Sequence, residues 1–322
     1  MAPFPEREGG LVLSATINRY AHGLLRPRTD DRIRVESLDL GVALEYGAEE
    51  RLNLDGQLDL VKAAIGRVAT QLGEPRGVDV FLRSSVPPGS GLGGSSALMV
   101  ALIGLLRDFH KLALTDYEMA RLAWEVERVD LGLSGGLQDQ YAATFGGFNF
   151  TEFHRDSVLV NPLRVNPGTV SELEENLVLA FTGATRAGDH IIDDQTRRYE
   201  SSDEEALAGL RMQKELAIAM KDALLRSRLN EFGDLLGTAW ESKKRMSPRI
   251  STPVIDEAYA EACAAGAIGG KVTGAGGGGF MLFYCRPGTR HKVTERLAQM
   301  GIVETEFAFD HVGLRTWTHV ES

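Results

Sequence analysis

The residues best placed to do chemistry lie at 86–97, Val-Pro-Pro-Gly-Ser-Gly-Leu-Gly-Gly-Ser-Ser-Ala. Gly89, Gly91, Gly93 and Gly94 lack the Cβ atoms that would hold an anion away from the backbone. Ser95 and Ser96 fall where a helix begins, with free N–H groups and a positive dipole end. Pro88, Ser90 and Leu92 complete the loop. Phosphate is the ligand that such a cradle suits. Three readings of the loop compete. A tight turn with a serine cap needs fewer glycines than are present. The letters Gly89-x-Gly91-x-x-Gly94 also fit a dinucleotide fingerprint, but that motif requires a second strand ending in an acid ~20 residues later, and here a helix leads into another helix. A nucleotide-phosphate loop of another kind is the third reading. A Walker A loop is excluded, because no lysine stands between the glycines and the serine pair.

The elements that must position this loop can be read from periodicity. Residues 77–83 alternate as a half-buried strand, and 97–106 form a helix that is apolar nearly all round. Strands are expected at 10–20, 33–38 and 42–46, and a helix at 58–72 closed by Gly73-Glu-Pro75. After the loop come a helix over 116–130, a second glycine-rich turn over 131–140, a short helix over 141–145 and a hairpin over 147–153 and 158–160. A buried strand at 176–182 is followed by a charged, mainly helical region to about 246 and a helix over 251–266. A third glycine run, 269–279, feeds a strand at 280–284, and a helix at 289–300 and strands near 304–309 and 313–317 close the chain. Strands and helices mix without strict alternation, so the class is α+β. The change from strand-rich to helical sequence places a domain boundary between 155 and 175, taken as 1–165 and 166–322.

At 322 residues the chain can bury a substantial core, and its 43% hydrophobic and 25% charged content are those of a globular protein. Thirty-five basic against 45 acidic residues give a formal charge of −10, which argues against nucleic acid or an anionic membrane as main partner. Any phosphate site must therefore be locally basic. Two cysteines are too few for a disulfide framework or a zinc site, and the seven histidines show no metal-ligand spacing. The longest apolar run falls short of a bilayer span, and residues 6–8, Glu-Arg-Glu, are unlike a signal sequence, so a cytoplasmic protein is expected.

Glycine-rich stretches at 87–97, 135–140 and 273–279 are improbable as independent turns. Together they resemble the GHMP kinase superfamily: Pro-x-Gly-Ser-Gly-Leu-Gly-Gly-Ser-Ser is similar to its ATP loop, and Gly-Gly-x-x-Asp-Gln followed by Gly-Gly six residues later is similar to the catalytic segment of its sugar kinases. Further stretches fit the branch acting on a heptose 7-phosphate. They are Glu125-x-Glu127-Arg-x-Asp-Leu-Gly, Gln138 to Asn149, Asn161-Pro-Leu-Arg164, Trp240-Glu-Ser-Lys-Lys244 and Gly313-Leu-Arg-Thr-Trp317. The resemblance spans roughly residues 9–317. It implies a two-domain fold with ATP at the interface, and Mg²⁺-dependent transfer of the γ-phosphate to the anomeric hydroxyl of a heptose 7-phosphate, giving the 1,7-bisphosphate on the way to a nucleotide-activated heptose.

The resemblance also implies roles. Residues Pro88 to Ser96, with Gly274, Ala275, Gly276 and Gly277 of the third run, would hold the nucleotide, and Ser96 and Glu127 would serve the metal. Asp139 would be the catalytic group, orienting or deprotonating the sugar hydroxyl. Without the resemblance, Glu127 reads as a helix acid paired with Arg128, and Asp139 as a turn residue. Gly135, Gly136, Gln138 and Asp139 would line the acceptor, whose phosphate would need a basic cluster for which Arg186, Lys243 and Lys244, with Arg245, are available. Charge runs on helices ordinarily face water instead. Small-molecule sugar phosphate and ATP are thus the expected partners, and a homodimer is compatible with this reading.

One departure stands out. The superfamily ordinarily opens with a strand and a segment resembling Pro-x-Arg-x-x-x-x-Gly-Gly-Gly-Thr-Asp, which touches the sugar and supplies an arginine near the transferring phosphate; nothing before Gly9 matches it. This implies an acceptor site short of one wall, and leaves a start further upstream, a substitute arginine or weak activity as alternatives. A kinase of another sugar, such as L-fucose, and a non-catalytic ATP-binding homologue are the rival functions, with a dinucleotide-dependent oxidoreductase a distant third.

Overall fold

The structure, a computed structural model, describes residues 4–48, 50, 53–72, 76–183 and 189–319. A short helix α1 (Phe4–Glu8) leads into β1 (Gly10–Ile17), and β2 (Ala21–Pro27), β3 (Arg32–Ser37), β4 (Val42–Gly47), α2 (Asp59–Leu72) and β5 (Val78–Ser84) follow. β5 lies between β2 and β3 in a four-stranded sheet of order β2-β5-β3-β4, parallel to β3 and antiparallel to β2. The alternation of Val78, Val80 and Leu82 turns those side chains into a core shared with Ile33, Val35, Val61, Val68 and the next helix. That helix, α3 (Gly94–His110), is apolar nearly all round because it is enclosed: Met99, Val100, Leu102, Ile103 and Leu106 are all buried.

α4 (Asp116–Glu125) starts at a capping box in which Thr115 and Glu118 satisfy each other's backbone N–H groups. It ends early. The helix expected to reach residue 130 changes at Val126–Asp130 into a single π turn. α5 (Gln138–Phe145) starts three residues before its expected position, so Asp139 stands in the first turn of a helix and not in a loop. The expected hairpin forms as β6 (Phe148–Phe153) and β7 (Val158–Pro162), and β6 pairs with β1 over Gly10–Ala15.

The second half of the chain comprises α6 (Pro167–Asn176), β8 (Leu177–Phe181), α7 (Asp189–Glu200), α8 (Glu204–Leu225), α9 (Leu229–Lys244), α10 (Pro253–Ala265), β9 (Ala267–Val272), β10 (Phe280–Cys285), α11 (Arg290–Gln299), β11 (Val303–Glu304) and β12 (Phe309–Asp310). Its sheet, β11-β8-β10-β9, is antiparallel throughout and carries a second core that includes Val178, Trp240, Met281 and Phe283. α9 crosses β9 at backbone distance: a Cβ on Gly269 would overlap the Gly233 carbonyl and approach the Gly237 amide within 2.7 Å. Only glycines permit that approach.

The chain then returns to its beginning. β12 pairs with Thr16 and Ile17 of β1, giving the order β12-β1-β6-β7. Residues 313–317, expected as a strand, join no sheet: Leu314 donates its N–H to the Thr144 carbonyl at 3.0 Å and lays its side chain on Gly104 of α3. Extended residues pinned to a helix end lack a neighbouring strand to pair with. No helix among the described residues is long and apolar enough to cross a membrane.

Candidate active site

The loop between β5 and α3 is held from two directions. Ser90 donates its N–H to the Pro87 carbonyl at 3.2 Å, and its own carbonyl accepts the Phe280 N–H at 3.2 Å, which ties the loop to the third glycine run. Gly91 and Gly93 adopt the left-handed conformation, with φ of 79° and 71°. Each also faces a close neighbour. A Cβ on Gly91 would stand 3.0 Å from the Thr273 carbonyl oxygen, and one on Gly93 would stand 3.3 Å from the Asp139 carboxylate. No side chain caps the start of α3 at Gly93, so the first-turn N–H groups remain available to an anion. Ser95 is exposed beside them, as are Pro88 and Gly89, while Ser90 is buried.

Ser96 lies on the inner face of α3 and donates its hydroxyl to Glu127 Oε2 at 2.8 Å. Gln140 donates its amide to the same two oxygens. The π turn rolls Glu127 inward, and its carboxylate is fully buried. Burial pushes the Glu127 carboxyl up from its ordinary value, opposed by the neighbouring Arg128 guanidinium and by hydrogen bonds from Gln140 and Ser96. Glu127 Oε1 and Gln140 Oε1 have no partner. An unpartnered buried carboxylate oxygen beside a serine hydroxyl could supply two of the oxygen ligands of a hard divalent cation. No cluster of three acidic, histidine or cysteine side chains suited to a metal occurs among the described residues. A cation here would draw its remaining ligands from phosphate and water, as Mg²⁺ does.

Asp139 stands across from this group. Gln138 donates to its Oδ1 at 3.3 Å, and burial raises its pKa against the opposing pull of Gln138 and Arg128. Arg128, beside Glu127, is the residue that relates the two acids. Its guanidinium reaches the Ser134 carbonyl at 3.4 Å and lies so close to Gly135 that a Cβ there would collide with it. Its Nε has no partner. Ser134 in turn donates to Asp193 of α7, linking the second glycine turn to the other half of the chain.

The third glycine run divides by placement. Gly274 and Ala275 line the cavity, whereas Gly276 packs on Ile250 and Gly277 spends its N–H on the Ile250 carbonyl at 2.8 Å. These last two glycines, expected at the nucleotide, do not line the cavity. Lys243 is buried, and its Nζ donates to the carbonyls of Val272 and Gly274. Lys244, expected beside it, points elsewhere: it pairs with Glu241 at 2.8 Å, lies over the Trp240 ring and does not line the cavity. Arg186 lies outside the described residues.

A cavity of about 970 Å³ joins these parts. Its lining includes Gly91 to Gly94, Arg128, Gly135, Gly136, Gln138, Asp139, Lys243 and Lys271, together with residues of β1 and α8. Sequence reasoning took Arg128 only as a partner of Glu127, and Lys271 as part of the third glycine motif that packs on the phosphate loop. Their signals were adjacency to Glu127 and to the third glycine run.

The comparisons with known proteins agree with this geometry. The sequence matches the family descriptions "GHMP kinases N terminal domain" over residues 59–147 and "GHMP kinases C terminal" over residues 220–303. It is 41% identical over 311 residues to D-glycero-alpha-D-manno-heptose 7-phosphate kinase of Campylobacter jejuni, covering 96% of this chain and 91% of that one. The crystal structure of a D-glycero-D-manno-heptose 1-phosphate kinase from Bacteriodes thetaiotaomicron superposes with a TM-score of 0.80 at 34% identity, over 99% of this chain and 94% of the other. Lactococcus lactis galactokinase, solved with galactose, shares the fold with a TM-score of 0.76 at 21% identity, over 94% and 88%. The chain belongs to the GHMP kinases.

Proposed function

We propose that the protein is an ATP-dependent sugar kinase that phosphorylates the anomeric hydroxyl of a heptose 7-phosphate, giving the 1,7-bisphosphate used to make a nucleotide-activated heptose. The observation that carries this reading is the 41% identity to a heptose 7-phosphate kinase over nearly the whole of both chains. The placement of the Asp139 carboxylate against Gly93 of the phosphate loop supports it. We assign the halves on either side of residue 165 to the two domains.

In this mechanism the triphosphate lies along Gly89 to Ser96, held by backbone N–H groups and the N-terminus of α3. Asp139 accepts the proton of the anomeric hydroxyl as its oxygen forms a bond to the γ-phosphorus; the bridge to the β-phosphate breaks and ADP departs. Gln138 orients the carboxylate, and Gly135 and Gly136 leave room for the sugar. Mg²⁺ held by Glu127 and Ser96 would neutralise charge on the β- and γ-phosphates. Burial that raises the Asp139 pKa makes it a better base and also moves its protonation upward. The base form is lost as pH falls, so the acid limb of kcat/KM lies above the ordinary carboxylate value of ~4.

The test is coupled ADP release with Mg·ATP and a panel of heptose 7-phosphate, unphosphorylated heptose, mannose, L-fucose and galactose. Turnover is expected with heptose 7-phosphate. A preference for L-fucose would move the protein to another sugar, and ATP binding with no turnover would make it a silent homologue. Asp139→Asn is expected to lower kcat by about 10²–10⁴ with ATP affinity kept. Retained turnover removes Asp139 from the role of base.

A further inference from the structure

Two lysines share one wall of the cavity without an acidic partner. Elsewhere buried charges are neutralised: Lys62 lies on Asp55, Asp79 on Arg26 and Arg28, and Glu127 beside Arg128. Lys243 instead is fixed by two carbonyls, and Lys271, on β9, has no hydrogen-bond or ion-pair partner among the described residues. Burial, with the Lys271 charge adding to it, drives the Lys243 pKa well below its ordinary value, and partial burial lowers that of Lys271.

This arrangement is built in. The glycine crossing of α9 on β9 brings the C-terminal turn of α9 against the end of the strand, which places the Lys243 ammonium at the carbonyl of Val272, the residue after Lys271. Two cations forced together without a counter-charge are costly unless a ligand supplies one. The wall they form meets the phosphate loop at Gly91, through Thr273 and Gly274, whereas Asp139 meets it at Gly93 and Glu127 at Ser96. The lysines therefore meet the phosphate loop at a different point from the two acids, and neither figures among the charges that act on Asp139 or Glu127. An anion bound here is one that stays put during the reaction.

We propose that Lys243 and Lys271 form a subsite for a phosphate dianion on the phosphoryl acceptor, the phosphate at the far end of the sugar from the hydroxyl that reacts. Lys243 is its fixed member, and Lys271 is the free cation that the phosphate engages. The identity of that phosphate as the sugar's rests on the function proposed above; the subsite itself rests on the lysine pair.

The experiment uses Lys271→Met and Lys243→Met in the full chain, with Lys271→Arg as the conservative variant. Steady-state kinetics are expected to show KM for heptose 7-phosphate raised roughly ten- to a hundredfold in both Met variants, KM for ATP changed less than about threefold, and partial recovery with arginine. A rise in KM for ATP alone assigns the pair to the nucleotide and overturns the proposal, as do unchanged constants. The second measurement is thermal protection by inorganic phosphate with saturating Mg·AMPPNP present, so that the phosphate loop is already filled. The wild type is expected to gain stability, and Lys271→Met to melt higher without phosphate yet gain little from it. Equal protection of the wild type and both Met variants overturns the subsite. If the wild type turns over only unphosphorylated sugars, the substrate assignment fails by itself, and this protection still decides whether the subsite exists.

Discussion

Gly93, Gly135, Arg128 and Asp139 behave as one unit, because the two glycines are spaces into which the two charged groups fit. Glycine at 93 is required by its φ of 71° and by the carboxylate 3.3 Å from where a Cβ would be. Gly135 is different. Its φ is ordinary, and the atoms a Cβ would strike are the guanidinium of Arg128, the movable end of a long side chain. Gly135→Ala is therefore expected to change the melting temperature little, since the guanidinium can swing aside at a cost of ~1 kcal/mol. The charge near Asp139 moves with it, so kcat is expected to fall clearly while the fold stays intact. Calorimetry and steady-state kinetics on the same preparation check both halves. The glycine spacing at 135–136 and the acid at 139 were legible in the sequence. The guanidinium filling the space was not, because a contact made across a π turn has no signature in residue spacing.

Among the elements, α9 and β9 govern what the second half of the chain presents to the cavity. Gly233, Gly237 and Gly269 let a helix rest on a strand at backbone distance, and Lys243 and Lys271 are carried by that contact. Gly269→Ala would drive a Cβ into the Gly233 carbonyl, which cannot step aside as a side chain can. We expect a loss of about 3 kcal/mol or more by denaturant titration, accompanied by weaker binding of the phosphorylated acceptor. The sequence showed α9 as charged and helical, and its lysines read as a basic cluster for the acceptor's phosphate, with a solvated run as the competing reading. Lys244, paired with Glu241, fits that reading, whereas Lys243 one residue away is buried. Adjacent residues on a helix point about 100° apart, so one run of charge can serve both water and the interior. The strands β3, β5, β6 and β10 were legible from alternation or apolar runs bounded by turns. β2 was not, because its exposed and half-buried residues, Ala21–Pro27, lack a strong apolar period and it owes its strand form to pairing with β5.

Across the molecule, the two halves are joined at the site itself. Gly91 packs on Thr273 and Gly274, Phe280 donates to Ser90, and Ser134 reaches Asp193. The end of the chain adds a second join: Arg107 of α3 donates to Thr316 Oγ1 at 3.0 Å, and Leu314 lies on Gly104 where a Cβ would leave only 2.9 Å. Removal of residues 313–322 would uncover α3 and leave the Thr144 carbonyl without its partner. We expect the melting temperature to fall by roughly 5 °C or more, with a broadened transition and loss of nucleotide-induced stabilisation. The same return path has a consequence for how the protein is made. β1, near the start of the chain, pairs with β12, and α3 behind the phosphate loop is covered by residues beyond 312. The first half of the protein therefore leaves the ribosome with a sheet edge and a helix face waiting for residues 309–316 to be translated, and a chain halted short of them carries the whole phosphate loop without a finished wall behind it.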